Sequence, residues 1–271
     1  MTIPVHHRPS HAWPTEANVN ITHIVILLVF ACLAGWVDSI VGGGGLVQLP
    51  AFLLAFPGIP PVVAIGTGKV PSLLGTASAA VKYLRNSPVR MALALPVALA
   101  AFLFGGVGAG FASLIPTHVF RPVIIAVLIG VAAFVALRPG FGTREGTSRA
   151  GDSASKVVLI TAIAAAIGLY DGLIGSGTGT FLAVAMVWAL RTDYVGCAPM
   201  VKVANIGSNA GALVVFAYQG HVLWILGLGM ALCNVLGAQI GASMALRLGA
   251  GFVRRVLLVV VLAMATRLAF Q

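Results

Sequence analysis

Only six acidic residues occur in the sequence, and two of them, Asp38 and Asp171, stand inside long apolar runs. Two lysines, Lys69 and Lys202, stand equally deep in apolar sequence. Each lysine is about eight residues into its run, roughly 12 Å along a helix and near the middle of a bilayer. A charge there costs about 2.5–3.5 kcal/mol on insertion scales, so such groups normally face a cavity or a partner. The remaining acids lie elsewhere: Glu16 near the N-terminus, Glu145 and Asp152 in a polar stretch, and Asp193 beside Arg191.

The chemistry these types could do is anion binding. Each aspartate precedes a glycine cluster. A helix restarting after such a break presents free N–H groups and the positive end of its dipole. Gly44, Gly45 and Leu46, and Gly177, Thr178 and Gly179, would present those amides, with Thr178 and Thr180 adding hydroxyls. Ser72, Thr76 and Ser78 follow one lysine at helical spacing, and Asn205, Ser208 and Asn209 follow the other. Such donors suit a tetrahedral or pyramidal oxyanion. The rival reading is structural. Asp38 with Lys69, or Asp171 with Lys202, would neutralise each other and lock helices, and the hydroxyls and amides would be interhelical glue. For the aspartates, pairing or orienting the break outranks substrate contact, because a carboxylate repels an anion; a proton relay is the third role.

Other chemistries find little support. No nucleophile–base pair or paired carboxylates occur, so an enzyme is not expected. Cys32, Cys197 and Cys233 have no metal-ligand spacing and read as small apolar residues. The glycine run from Gly105 to Gly110 follows no strand and reads as close helix packing, not nucleotide binding. No cofactor and no metal are therefore expected.

The elements that position these residues occur twice. Gly35 to Gly45 (GWVDSIVGGGG) returns as Gly168 to Thr178 (GLYDGLIGSGT), with Asp38 at the place of Asp171, an offset of 133. The offset holds without a gap for Gly42 and Gly175, Lys69 and Lys202, Gly108 and Gly241, and Arg121 and Arg254. Composition sets the medium. The chain is 59% hydrophobic and 8% charged, against about 25% charged in a soluble domain. With a mean hydropathy of +1.05, that makes it an all-α polytopic membrane protein. The net charge of +10 then reflects basic loops between spans rather than nucleic-acid binding.

The chain divides into a polar tail at 1–20, a first membrane repeat at 21–137, a cytoplasmic linker at 138–156 and a second repeat at 157–271. The apolar run 22–56 would be about 52 Å long as one helix, too long for a 30 Å core, and four glycines interrupt it. It reads as a membrane-dipping hairpin of two helices. Spans follow near 61–84, 91–113 and 119–137. The second half has an interrupted segment at 156–190 and spans near 195–218, 222–246 and 252–270. The first run resembles a signal peptide in length, but its counterpart at 157–167 is internal, so it reads as structural.

Three full crossings per half would invert the second half relative to the first. With the linker inside, the cytoplasmic side holds Lys82, Arg85, Arg90, Arg138, Arg144, Arg149, Lys156, Arg191, Arg247, Arg254 and Arg255, and the outside Arg8, Arg121 and Arg267. Parallel halves give a weaker bias, so inversion is expected.

Two pairs of motifs carry a family resemblance. GWVDSIVGGGGLVQLPAFLLAF with IGTGKVPSLLGTASAAVKYLRN, and IGLYDGLIGSGTGTFLAVAM with KVANIGSNAGALVVFAYQGHVLW, resemble the two repeats of the TauE/SafE sulfite exporter family over about residues 22–270. The resemblance implies a bacterial inner-membrane carrier of sulfite, sulfoacetate or related sulfur-containing anions. The family motif positions fall on Asp38, Gly42 to Gly45, Lys69, Asp171, Gly175 to Gly179, Lys202, Asn205 and Asn209. Ser72 and Thr76 stand in the first half where the second has Asn205 and Asn209, so an asymmetric site is expected. The expectation is a secondary transporter working by alternating access, in a lipid bilayer, with a proton or other ion for coupling. A passive channel, or a carrier of another small carboxylate or oxyanion, is the alternative. The sequence leaves the oligomeric state and the direction of transport open.

Overall fold

The computed structural model describes residues 21–56, 58–87, 89–112, 114 and 154–269. The expected tail at 1–20, the span at 119–137 and most of the linker lie outside them. Among the described residues there are eight helices and no strands. They are α1 (Ile21–Val41), α2 (Gly44–Ala55), α3 (Pro61–Asn86), α4 (Met91–Ala112), α5 (Ala154–Leu173), α6 (Thr178–Leu190), α7 (Tyr194–Tyr218) and α8 (Trp224–Ala269). α5 starts at Ala154, so the last residues assigned to the linker are helical. The loop expected between spans 222–246 and 252–270 is reduced to one residue: Gly249, with φ 72° and ψ −175°, bends α8.

Five of these helices are long and apolar enough to cross a membrane: α1, α4, α5, α7 and α8. Their outer faces show why. Val25, Val29 and Leu33 on α1, Leu95, Leu99 and Leu103 on α4, and Leu228, Leu232 and Leu236 on α8 are all exposed. Each set recurs every four residues and makes an apolar stripe along its helix. Such stripes suit lipid, not water. On the opposite face of α1, Leu27, Ala31 and Ala34 are fully buried. α2 and α6 have 12 and 13 residues. At 1.5 Å per residue they span about 18–20 Å, too short for a core of about 30 Å.

Both short helices follow a glycine break. Gly42 and Gly175 have φ of 77° and 73°, the left-handed region that residues with a side chain avoid. After the first break the chain turns back on itself. A β-carbon on Gly44 would stand 2.7 Å from the Ala34 carbonyl and the Asp38 side chain. The sequence expectation of two helices meeting at a glycine break therefore matches the backbone at both places.

Close crossings interlock the halves. α1 lies against α8, and α5 against α4. Gly35 faces the Asn234 carbonyl, and Gly168 faces the Ala101 carbonyl; Gly241 faces Trp36, and Gly108 faces Leu169. Each second contact is the first one displaced by the repeat offset. No β-carbon fits at these points, which lets the backbones approach. The run Gly105 to Gly110 falls in this packing: Gly105 meets Ser208, and Gly108 meets Leu169 and Gly172. The first helix of each half thus packs on the last described helix of the other.

Candidate functional site

The two glycine breaks meet at the centre. Gly42 packs backbone to backbone on Gly179, and a β-carbon on Gly45 would stand 2.6 Å from the Gly175 carbonyl. The Thr180 hydroxyl donates to the Val41 carbonyl at 3.1 Å, joining one break to the other. Tyr170 braces the second break: its hydroxyl donates to the Ser176 carbonyl at 2.7 Å, and its ring lies edge-on to Phe181. The α3 and α7 helices that carry the lysines run against each other beside this junction.

The lysines are paired, but crosswise. Lys69 Nζ lies 2.8 Å from Asp171 Oδ1 and donates to the Asp171 carbonyl at 2.9 Å. Lys202 Nζ lies 3.4 Å from Asp38 Oδ2 and donates to the Asp38 carbonyl. This corrects the sequence reading that paired Asp38 with Lys69 and Asp171 with Lys202. The reason is geometric. Each aspartate sits in the last turn of its half's first helix, where the dipole end is negative; the Asp38 carbonyl also accepts the Gly42 N–H at 2.8 Å. That end points into the other half, whose lysine supplies the cation. A hydroxyl completes each carboxylate: Thr178 donates to Asp171 Oδ1 at 2.7 Å, and Thr76 to Asp38 Oδ2 at 3.0 Å.

Burial makes these pairs consequential. Lys69, Lys202 and Asp171 are at most 3% exposed. Removing one member of a buried pair costs about 3–5 kcal/mol, because the survivor is left uncompensated.

A cavity of about 30 Å³ opens beside the Lys69–Asp171 pair. Gly45, Gln48, Lys69, Ser72, Gly175 and Ser176 give it polar groups, and Leu49, Ala64, Ile65 and Ile174 give it apolar walls. One water needs about 10–15 Å³ on this scale, so the space suits about two waters or a compact ion. Lys69 has three donors; one goes to the Asp171 carbonyl, and its charge rests against Oδ1. α2 begins at the cavity edge with Gly43 as N-cap and no side-chain cap, so the Gly44 and Gly45 amides retain their positive end. α6 likewise begins with an uncapped Gly177.

Of the residues singled out in sequence, Lys69, Ser72 and Gly45 line this cavity together. Gly44 stands beside it against Asp38. Lys202, Thr76 and Thr178 belong to the crosswise pairs, and Gly179 to the glycine contact. Gly177 contacts Leu46 and Phe181. Asn205 and Asn209 bond each other, Asn209 Nδ2 donating to Asn205 Oδ1 at 2.9 Å and to its carbonyl at 2.8 Å. Sequence reasoning passed over Gln48. It is 3% exposed and donates to the Gly68 carbonyl at 3.2 Å, with its Oε1 unpartnered. A lone amide one turn into an apolar half-helix was the available signal.

The model of the sulfite exporter TauE/SafE family matches residues 27–268. The chain belongs to this family. Its relatives include the "Probable membrane transporter protein ORF9" of Sinorhizobium sp, 37% identical over 90% of this chain and 92% of its own. A "Probable membrane transporter protein" of Haemophilus influenzae is 27% identical, covering 94% of this chain and 97% of its own. The "Probable membrane transporter protein YfcA" of Escherichia coli K12 is 28% identical, with 91% and 89% covered. No solved structure matches. Membership and the five apolar spans make this a multi-pass bacterial membrane protein and a TauE/SafE membrane transporter.

Proposed function

We propose that the protein is a secondary transporter of small sulfur-containing anions, sulfite, sulfoacetate or related organosulfonates, across the bacterial inner membrane by alternating access. The observation that carries this reading is the cavity at Lys69. A buried ammonium with one donor to spare, the start of an uncapped half-helix, Ser72 and Gln48 converge on a space of about 30 Å³. Its size favours the compact members of the substrate class. Oxyanion oxygens would take the Lys69 ammonium, the Gly45 amide and the Ser72 hydroxyl. Lys202 and the start of α6 would form the counterpart when the site opens to the other side. We read the halves as inverted, since 11 basic residues fall inside against 3 outside in that arrangement. Broken helices meeting between two repeats are how such carriers build a midplane site.

The test is thermal stabilisation of the purified protein by sulfite, sulfate, thiosulfate, sulfoacetate, taurine, acetate and chloride. A ligand at about 100 times its dissociation constant adds about 2.7 kcal/mol to folded-state stability. One sulfur anion should stabilise the wild type and fail with Lys69→Met. Equal stabilisation of wild type and Lys69→Met removes the lysine from the site. A saturable, gradient-driven rate in proteoliposomes separates a carrier from a channel.

A further inference from the structure

The charges beside the cavity cancel: Lys69 contributes one positive charge and Asp171 one negative charge 2.8 Å away. An anion arriving at the spare Lys69 donor makes this buried site net negative, which a low-dielectric interior disfavours. Something must restore neutrality. The place a coupling metal cation would take in a broken-helix carrier, against a helix-end carbonyl at the break, is filled by Lys69 Nζ on the Asp171 carbonyl at the end of α5.

Asp171 has one oxygen unused. Its Oδ1 accepts from Thr178 and forms an ion pair with Lys69, while its buried Oδ2 has no hydrogen-bond partner. A bare buried carboxylate oxygen asks for an explanation. We infer that Asp171 Oδ2 is the coupling site of the carrier, taking up one proton for each anion bound at Lys69. The inference rests on the anion site proposed above. The proton converts the carboxylate to a carboxylic acid, and Oδ1 stays with Thr178. Lys69 keeps its own proton and its charge passes to the anion, so anion and proton move together.

The surroundings fit a one-to-one exchange. α5 packs on α4, α6 and α7. The α4 and α6 helices carry no titratable side chain. α7 carries Tyr194, Cys197, Lys202 and Tyr218, and its lysine is held by Asp38. α3 supplies Lys69, and on α5 itself Tyr170 is committed to Ser176 while Lys156 lies in its first turn. Among the described residues, then, Lys69 is the only charge paired with Asp171. Asp38 is a poorer candidate: its side chain is 14% exposed and its lysine does not line the cavity.

Titration calorimetry of the detergent-purified full chain tests this, in sodium-free buffers of different ionisation enthalpy. The probes are sulfate, thiosulfate and sulfoacetate, which stay fully ionised between pH 6 and 8, so any proton taken up binds to protein. Wild type should take up about one proton per anion, and over that range its affinity should weaken about tenfold per pH unit. Asp171→Asn should bind the same anion with no uptake and with affinity independent of pH; Asp171→Ser replaces it if the amide does not fold. Anion binding by wild type without proton uptake overturns the inference and leaves the anion site standing, as does uptake that persists in Asp171→Asn. Failure of every probe to bind wild type overturns the anion site and the inference together.

Discussion

Crosswise pairing makes a sharp forecast for double mutants. Lys69→Met leaves Asp171 buried with no cation, and the structure sets the size of the loss. The Asp171 side chain is 2% exposed and one of its oxygens is already unpartnered, so bulk solvent does not reach it. The expected cost is about 3–5 kcal/mol. For a chain of this size 1 kcal/mol moves the melting point by about 2–4 °C, so the shift should be on the order of 10 °C. Adding Asp171→Asn removes the orphaned charge and should recover most of it, since neutral replacement of a whole buried pair is often close to neutral in energy. Adding Asp38→Asn instead should recover nothing. Lys69 meets Asp171 and Thr76 meets Asp38, seven positions apart on α3 and so about 10 Å along the helix. Effects at that range usually sum within about 0.5 kcal/mol. The assay is heat unfolding of the detergent-solubilised wild type and the three variants. Rescue by Asp38→Asn in place of Asp171→Asn would refute the crosswise arrangement.

Three further outcomes are expected. Gly42→Ala should prevent folding, because the left-handed backbone costs about 1–2 kcal/mol and the methyl would overlap the Gly179 backbone; Gly175→Ala should fold at somewhat more than that cost, since its methyl comes no closer than 3.2 Å to the Lys69 ammonium and 3.3 Å to the Asp171 carbonyl, and expression followed by gel filtration distinguishes them. Gln48→Met should weaken anion binding about ten- to a hundredfold, the worth of roughly 1.5–3 kcal/mol for a hydrogen bond to a charged group, read from ligand titrations of the melting point. Thr178→Val, which removes a donor to the Asp171 carboxylate, should lower stability by about 1.5–3 kcal/mol, against about 1 kcal/mol for Thr180→Val, whose partner is the neutral Val41 carbonyl; their melting points should rank in that order.

The glycine breaks were legible because two things coincide in sequence, an apolar run too long for the membrane and glycines that only the left-handed backbone at Gly42 and Gly175 requires. The lysines were legible because apolar sequence makes any charge conspicuous. Partner choice was not. A repeat makes Asp38 equivalent to Asp171 and Lys69 to Lys202, and equivalence says nothing about which half an end carbonyl faces. Gln48 was hidden for the opposite reason: Phe181 holds its place in the second half, so attention to matched polar pairs passed over it. The carboxamides of Asn205 and Asn209 looked like ligand donors at helical spacing, but that same spacing lets them bond each other. The bend at Gly249 was read as a loop because Arg247, Arg254 and Arg255 surround it, and charge patterns locate a membrane boundary without saying how many residues turn there.

Interlocked halves also dictate how the protein must be made. α1 emerges first, yet the Trp36 indole finds its acceptor at Met244, 208 positions later. Lys202 follows Asp38 by 164 positions. At about 5–20 residues per second, roughly 10–30 s pass between synthesis of the acid and synthesis of its counter-charge. During that interval Asp38 has the Thr76 hydroxyl but no counter-charge, and Gly35 lacks the Asn234 backbone it packs against. Assembly is therefore finished from the far end, and a chain that stops short carries an intramembrane acid with no counter-charge.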